Sequence, residues 1–234
     1  MDNIPKFKFI DLFCGIGGFH QAMISFGGEC VLACDIDKNC REVYENNYNI
    51  TPYPDITKLK TEDIPDFDVL CGGFPCQAFS HSGKQLGFED TRGTLFRDIV
   101  RILKDKRPKY FILENVKNLK THDNGNTYKA IETELLKRNY IITSKIINSA
   151  EYGSPQARQR IFIVATKDKP FVIPMPVKIT NPVSTIIDTT NVKDELNITR
   201  YTLKEKTIKT KIDISKPHIL YDVYPVLSPE KKKL

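Results

Sequence analysis

A strand, a glycine turn and a helix in immediate succession constrain this chain more than any other feature. Phe9-Ile-Asp-Leu-Phe-Cys-Gly-Ile-Gly-Gly18 is apolar up to the turn, and the residues from Phe19 to Phe26 have helical character before Gly27-Gly28 closes them. Glycines at such a turn let the backbone reverse tightly and approach a ligand, and the following helix offers unbonded N–H groups to it. The arrangement suits NAD, FAD or S-adenosylmethionine. Gly15, Gly17 and Gly18 do not make a Gly-x-Gly-x-x-Gly pattern, which tilts the reading away from a dinucleotide. A second apolar run, Cys30-Val-Leu-Ala-Cys34, ends at Asp35. An acid about 20 residues beyond the turn can accept hydrogen bonds from ribose hydroxyls. Asp35 is read as that acid, and Asp37 as the cap of the helix over Lys38 to Asn46.

The pattern continues along the chain. Strands are expected at Lys6 to Phe13, Cys30 to Cys34, Val69 to Cys71, Tyr110 to Leu113, Ile141 to Ile147 and Ile161 to Ala165. Helices are expected at Leu95 to Lys104 and Tyr128 to Arg138 as well. Alternation of this kind predicts an α/β, Rossmann-like fold: a mostly parallel sheet with helices on both faces. Five prolines from Pro170 to Pro217 accompany a loss of periodicity. A catalytic domain is therefore expected over 1–175 and the start of a smaller second domain over 176–234.

Composition narrows the class. The 234 residues are 40% hydrophobic and 27% charged, which describes an ordinary globular chain. No apolar run approaches the ~20 residues of a membrane span, and Met1-Asp-Asn-Ile-Pro-Lys lacks a signal peptide's apolar core, so a cytoplasmic location is expected. All six cysteines fall between Cys14 and Cys76 without Cys-x-x-Cys pairs, so neither a metal site nor disulfides are expected. Cys14, Cys30, Cys34, Cys40 and Cys71 are read as small hydrophobes. The net charge is +6, and nine Lys/Arg against four Asp/Glu lie from Arg200 to Leu234. Such a stretch suits a polyanion, or is simply a solvated surface.

Cys76 differs from the other five. It stands in Gly72-Gly-Phe-Pro-Cys-Gln-Ala-Phe-Ser80, directly after the apolar run Phe67-Asp-Val-Leu-Cys71. A thiol just past a strand end is exposed and aimed, as a nucleophile must be. Glu114 ends the strand from Tyr110, and open sheets place their sites at such ends; a capping or salt-bridged acid is the plainer alternative. Arg158 and Arg160 alternate before an apolar strand, so their side chains share a face. They suit an anionic or carbonyl partner, or serve only solubility at an edge.

Taken together these segments resemble the C5-cytosine DNA methyltransferase family from residue 7 to about 166, with closest likeness to the bacterial restriction–modification type. Phe9 to Gly18 looks like the family's first cofactor motif, Gly73-Phe-Pro-Cys-Gln77 like its catalytic loop, and Glu114-Asn-Val116 like its base-binding motif. Gln156-Ala-Arg-Gln-Arg160 is similar to its paired arginines, and Gly83 to Gly93 to the loop that closes over DNA. The resemblance implies S-adenosylmethionine as cofactor and a cytosine flipped out of duplex DNA. It implies Cys76 as the nucleophile at C6 of the base, Glu114 as the acid at N3, and Arg158 and Arg160 as catalytic partners. Such chemistry needs a thiolate, a carboxyl group and a methyl donor in one dry pocket. For the cofactor the resemblance implies Asp11, Phe13, Gly15, Gly17, Gly18, Asp35, Ile36, Asp55, Ile56, Pro75 and Leu95. For DNA it implies Gln77, Ser80, Ser82, Arg92 and Asn115.

Family members continue into a recognition region and return through a Gly-Asn-Ser-Val-type motif, which is not found here. The chain is therefore expected to stop inside the recognition region, as half of a split enzyme, a truncated form or a relic. A second polypeptide and a cognate restriction endonuclease are the partners this implies. Two other functions stay open: an RNA (tRNA) cytosine-5 methyltransferase and a non-catalytic binding module. Adenine methylation is disfavoured by the absence of an Asp/Asn-Pro-Pro-Tyr/Phe loop.

Overall fold

The structure is a computed structural model, and it describes residues 7–75 and 94–176. β1 (Phe7–Leu12), α1 (Gly18–Ser25), β2 (Gly28–Cys34), α2 (Lys38–Tyr48), β3 (Val69–Gly72), α3 (Thr94–Lys106) and β4 (Tyr110–Val116) alternate as expected. α4 (Asn126–Leu136), β5 (Ile141–Asn148) and β6 (Gln159–Thr166) follow. The strands form one sheet in the order β2-β1-β3-β4-β6-β5.

β1 pairs in parallel with both β2 and β3, and β3 pairs in parallel with β4. The chain moves outward from β1 to β2 and then returns past β1 to β3. That reversal opens a crevice at the carboxyl ends of β1 and β3, where open α/β sheets bind ligands. β6 departs from the parallel pattern: it lies antiparallel against β4, from Tyr110↔Thr166 to Val116↔Arg160. Residues 149–158 join β5 to β6, and they fall short of the dozen or so residues a parallel crossover needs.

The apolar runs fold as strands because they are buried. Phe9, Ile10, Asp11 and Leu12 of β1 are fully buried, and so are Leu70 and Cys71 of β3. β4 alternates instead, with Phe111, Leu113 and Asn115 inward. Glu114 therefore does not end this strand, as its sequence position suggested; the pairing with β6 carries the strand on to Val116. The main core joins Ile10, Leu12, Leu70, Phe111 and Leu113 to Phe96, Ile99, Ile102 and Leu103 of α3 and to Ile131 and Leu135 of α4.

Helix ends follow local chemistry. Asp37 caps α2, its Oδ1 accepting from the Asn39 N–H at 2.8 Å and the Cys40 N–H at 3.1 Å. α2 stops at Asn49, whose φ is +54°. α1 begins differently, from Gly17 in a left-handed conformation and with no side-chain cap.

The chain divides into two compact units. One holds residues 1–146 and 160–173; the other holds 147–159 and the chain from 174 onward. Among the described residues no helix is long and apolar enough to cross a membrane.

Ile99 is fully buried at the centre of the main cluster. Ile99→Ala is expected to lower unfolding stability by about 2–5 kcal/mol. Urea titration should show a lower midpoint with an unchanged slope.

Candidate active site

The turn after β1 is built from left-handed backbone, which glycine adopts freely. Phe13, Gly15 and Gly17 all have positive φ, at +56°, +53° and +96°. Gly17 is irreplaceable on steric grounds, because an added Cβ would lie 2.2 Å from Cε2 of Tyr48. The Tyr48 hydroxyl donates to the Gly17 carbonyl at 3.2 Å, and the ring stacks on His20 with centroids 3.8 Å apart. His20 Nδ1 in turn lies 2.6 Å from the Tyr44 hydroxyl. The turn therefore rests on an aromatic platform from α1 and α2, which the sequence reading missed. Two tyrosines four residues apart on the helix after β2 are its signature. By contrast, among the described residues a Cβ at Gly18 would meet nothing within 4 Å. Gly18 leaves its side of the turn open, as a ligand-facing glycine does.

Asp35 holds the turn from β2. Its Oδ2 accepts the Gly15 N–H at 2.7 Å, and its Oδ1 accepts the Asp37 N–H at 2.9 Å. Each carboxylate oxygen keeps a further lone pair for an outside donor. Beside it Ile36 is exposed, and so is Ile16 of the turn itself. Asp55 lies on the segment after α2, where Thr57 donates both its N–H at 3.0 Å and its hydroxyl at 2.7 Å to Oδ1. Those two bonds hold the Asp55 carboxyl below its ordinary pKa. Ile56 is buried in the core, so that only its backbone is available beside Asp55. Leu95 stands in the first turn of α3, packed against the main cluster.

Asp11 requires a correction. The expectation was a residue facing the cofactor, but its side chain is fully buried beneath the turn. Neither carboxyl oxygen has a hydrogen-bond partner among the described residues. Burial, reinforced by the nearby Asp35 charge, raises its pKa well above the carboxylate norm; the adjacent His20 N–H and Tyr44 hydroxyl offset this only in part. Asp11 is thus a buried acid whose charged form is disfavoured by its surroundings.

The second half of the site is carried by β3 and β4. Arg160, inside β6, donates from Nε to Glu114 Oε1 at 2.9 Å, and both side chains are largely shielded. The partly buried setting strengthens this pair relative to a surface one. The backbone leaving β3 passes close by: a Cβ on Gly73 would lie 3.6 Å from Glu114 Oε2. Asn115 adds a tie, its Nδ2 donating to the Phe74 carbonyl at 2.9 Å while its Oδ1 accepts the Val116 N–H at 2.8 Å. Asn115 was expected at DNA; it is buried, and its amide is spent on fixing the residue before Pro75. Arg158 precedes β6 in the second unit, where its N–H donates to Ser149 Oγ at 3.2 Å. Cys76, Gln77, Ser80, Ser82 and Arg92 lie outside the described residues.

The other thiols are poor nucleophiles. Burial raises Cys14 and Cys71 far above the ordinary thiol value, and pushes Cys30 up to about 11 and Cys34 up to about 12. All five described cysteines are free thiols. Among the described residues no His/Cys/Asp/Glu group could hold a metal ion.

A reversing α/β sheet, a glycine turn open on one side and a shielded Glu–Arg pair beside the loop from β3 come together at one end of the sheet. A profile of the C-5 cytosine-specific DNA methylases matches residues 7–227, and the chain belongs to that family. It is 49% identical over 166 residues to the Type II methyltransferase M.HhaI of Haemophilus parahaemolyticus, covering 71% of this chain and 51% of that protein. It is 47% identical over 190 residues to the Type II methyltransferase M.HaeII of Haemophilus aegyptius, covering 81% and 60%. The chain thus spans between half and two thirds of these relatives. Among solved structures, a DNMT2 of Spodoptera frugiperda aligns with a TM-score of 0.69 at 26% identity, over 86% of this chain and 63% of that one. A methyltransferase of Entamoeba histolytica aligns with a TM-score of 0.68 at 21% identity, over 87% and 66%, and shares the fold.

Two predictions follow from the turn. Gly17→Ala is expected to cost about 2–5 kcal/mol, from left-handed strain together with overlap on Tyr48. Gly18→Ala should leave the melting temperature within a degree or so, as its Cβ meets no protein atom, while weakening S-adenosylhomocysteine binding. Calorimetry and thermal melting of both variants separate the two roles. The third concerns pH. An unfolded Asp titrates near pH ~4, and the folded Asp11 pKa is raised. Its contribution is fully present below that pH and is lost as pH rises through the folded value. Asp11→Asn should therefore gain on the parent chain as pH increases. Urea titrations at acid and alkaline pH check this; a parent–variant difference independent of pH refutes it.

Proposed function

We propose that this chain is the catalytic part of a cytoplasmic DNA (cytosine-5)-methyltransferase of the restriction–modification type. The observation that carries the reading is the approach of the β3 exit, which leads into Pro75 and Cys76, to the Glu114–Arg160 pair. Residues far apart in sequence thereby share the end of the sheet that the glycine turn also reaches. The family description and the relatives' names favour DNA over the tRNA alternative.

The residues fit S-adenosylmethionine. Gly15, Gly17 and Gly18 let the chain approach the methionine end, with Phe13 and Pro75 beside it. Asp35 has lone pairs free for the ribose hydroxyls, with Ile36 alongside, and Asp55, Ile56 and Leu95 flank the adenine. The open side of Gly18 is the structural support for this fit. When bound, the cofactor supplies an electrophilic methyl group on a sulfonium.

The protein's own groups prepare the base. Cys76, as thiolate, adds to C6 of a cytosine flipped out of the duplex, which makes C5 nucleophilic. Glu114 holds a proton at N3, where the ring would otherwise accumulate negative charge. Arg160 fixes the Glu114 carboxyl through its Nε bond and brings a guanidinium charge to the edge where the base would lie. Arg158 serves the same anionic partners. Asn115 keeps the Phe74 carbonyl in place ahead of the nucleophile. Gln77, Ser80, Ser82 and Arg92 contact DNA from the loop beyond it. Residues 176–234 belong to the DNA-recognition region, and a second polypeptide is a further partner. A restriction endonuclease of the same specificity completes the system.

Cys76→Ala is expected to abolish labelled methyl transfer to duplex DNA while S-adenosylhomocysteine binding survives. The assay uses this chain alone and with any second polypeptide. Substantial transfer by the variant would overturn the assignment.

A further inference from the structure

Arg101 has a role that no motif of the chain announces. It lies on α3, two turns beyond Leu95, and all five of its N–H donors are engaged. Nε donates to Asp98 Oδ1 at 3.2 Å, and Nη2 donates to the same oxygen at 3.0 Å. The second Nη2 proton goes to the Ile56 carbonyl at 3.0 Å. Nη1 donates to the Leu59 carbonyl at 2.8 Å and to Thr61 Oγ1 at 3.1 Å. A guanidinium has five donors in a rigid fork. With every one spent inside the protein, Arg101 has none left for a DNA phosphate.

The acceptors identify its purpose. Residues 55–61 run irregularly between α2 and β3, and carbonyls of such a segment need partners that no ladder provides. Ile56 and Leu59 are buried, and one planar group bonds the carbonyls of both, joining the Leu59 N–H that the Ile56 carbonyl already accepts at 3.3 Å. Asp98 orients that group from one turn earlier on the same helix, shielded to 15% side-chain exposure. Burial raises its pKa, while the bonded guanidinium favours its charged form. Lys could not reproduce the arrangement, because its three donors radiate from one nitrogen and cannot span the separate acceptors.

Resting on the cofactor reading above, we propose that Arg101 is a positioning residue for the adenine end of the cofactor. It locks the Asp55–Ile56 segment to α3 and so fixes one adenine-flanking wall against the other, at Leu95. Arg101 touches no reacting group. Its effect passes through Asp55, whose Oδ1 is occupied by Thr57 and whose Oδ2, ion-paired with Lys58 Nζ at 3.7 Å, keeps lone-pair capacity for an amino donor.

Calorimetry on the full 234-residue chain tests this with two ligands: S-adenosylhomocysteine, and its inosine counterpart, in which a carbonyl replaces the adenine amino group. Arg101→Lys is expected to raise Kd for the adenine compound about tenfold and for the inosine compound about threefold or less, since the latter has already lost its contact with Asp55. Thr61→Val, which removes one of the four acceptor atoms, should show the same asymmetry at about twofold to threefold, and it carries the test if Arg101→Lys does not fold. Melting without ligand is measured for each. Equal losses for the two ligands, or none, overturn the proposal, because a merely structural residue weakens both alike. If the parent chain binds neither ligand, the cofactor reading itself fails, and that outcome is recognisable because parent and variants then behave identically.

Discussion

The double pairing of β1 is the constraint on which the rest depends. β1 lies between β2 and β3, bonded in parallel to both, and its last four residues are fully buried. A strand so held can leave the sheet at only one point. Everything that makes the site, the left-handed turn at Phe13 to Gly17 and the start of α1, begins there. The strand order then places the β3 exit beside it, with β4 next in line. Two loops and one in-strand glutamate thus reach a common edge without long connections.

The turn itself is left-handed at three of five positions, and only Phe13 among them carries a side chain that disfavours this conformation. A non-glycine residue in that region persists where its surroundings over-determine it. Here they do: Tyr48 closes one side of Gly17, the Gly15 N–H is fixed by Asp35, and the preceding strand residue Asp11 is fully buried. Burial and the nearby Asp35 charge both disfavour the charged form of Asp11.

Much of this was legible from residue order. Every expected strand and helix among the described residues exists, because each apolar run had the length and period of its element and most ended at a turn-forming residue. Asp37 was identified as a cap for a local reason, its position before a helix. The failures have a common cause. β6 could not be seen to run against β4, since pairing direction depends on a connection that the apolar pattern does not encode. Glu114 looked like a strand end because polar residues follow Leu113; the partner strand extended the ladder past it. Asp11 and Asn115 were placed at ligands by motif, whereas depth of burial, a property of the packed whole, put them behind the surface.

The sequence by itself determined the kinds of elements and the family, because propensity, turn residues and contiguous motifs are local properties. Tertiary structure alone decided which distant groups became partners. Arg160 and Glu114 are 46 positions apart and Arg101 and Ile56 are 45. No periodicity predicts that one guanidinium will meet a shielded glutamate while another is spent on two buried carbonyls. Side chains of the same type acquired different tasks because burial fixed which acceptors each could reach, and an unpaired carbonyl in the core is too costly to leave.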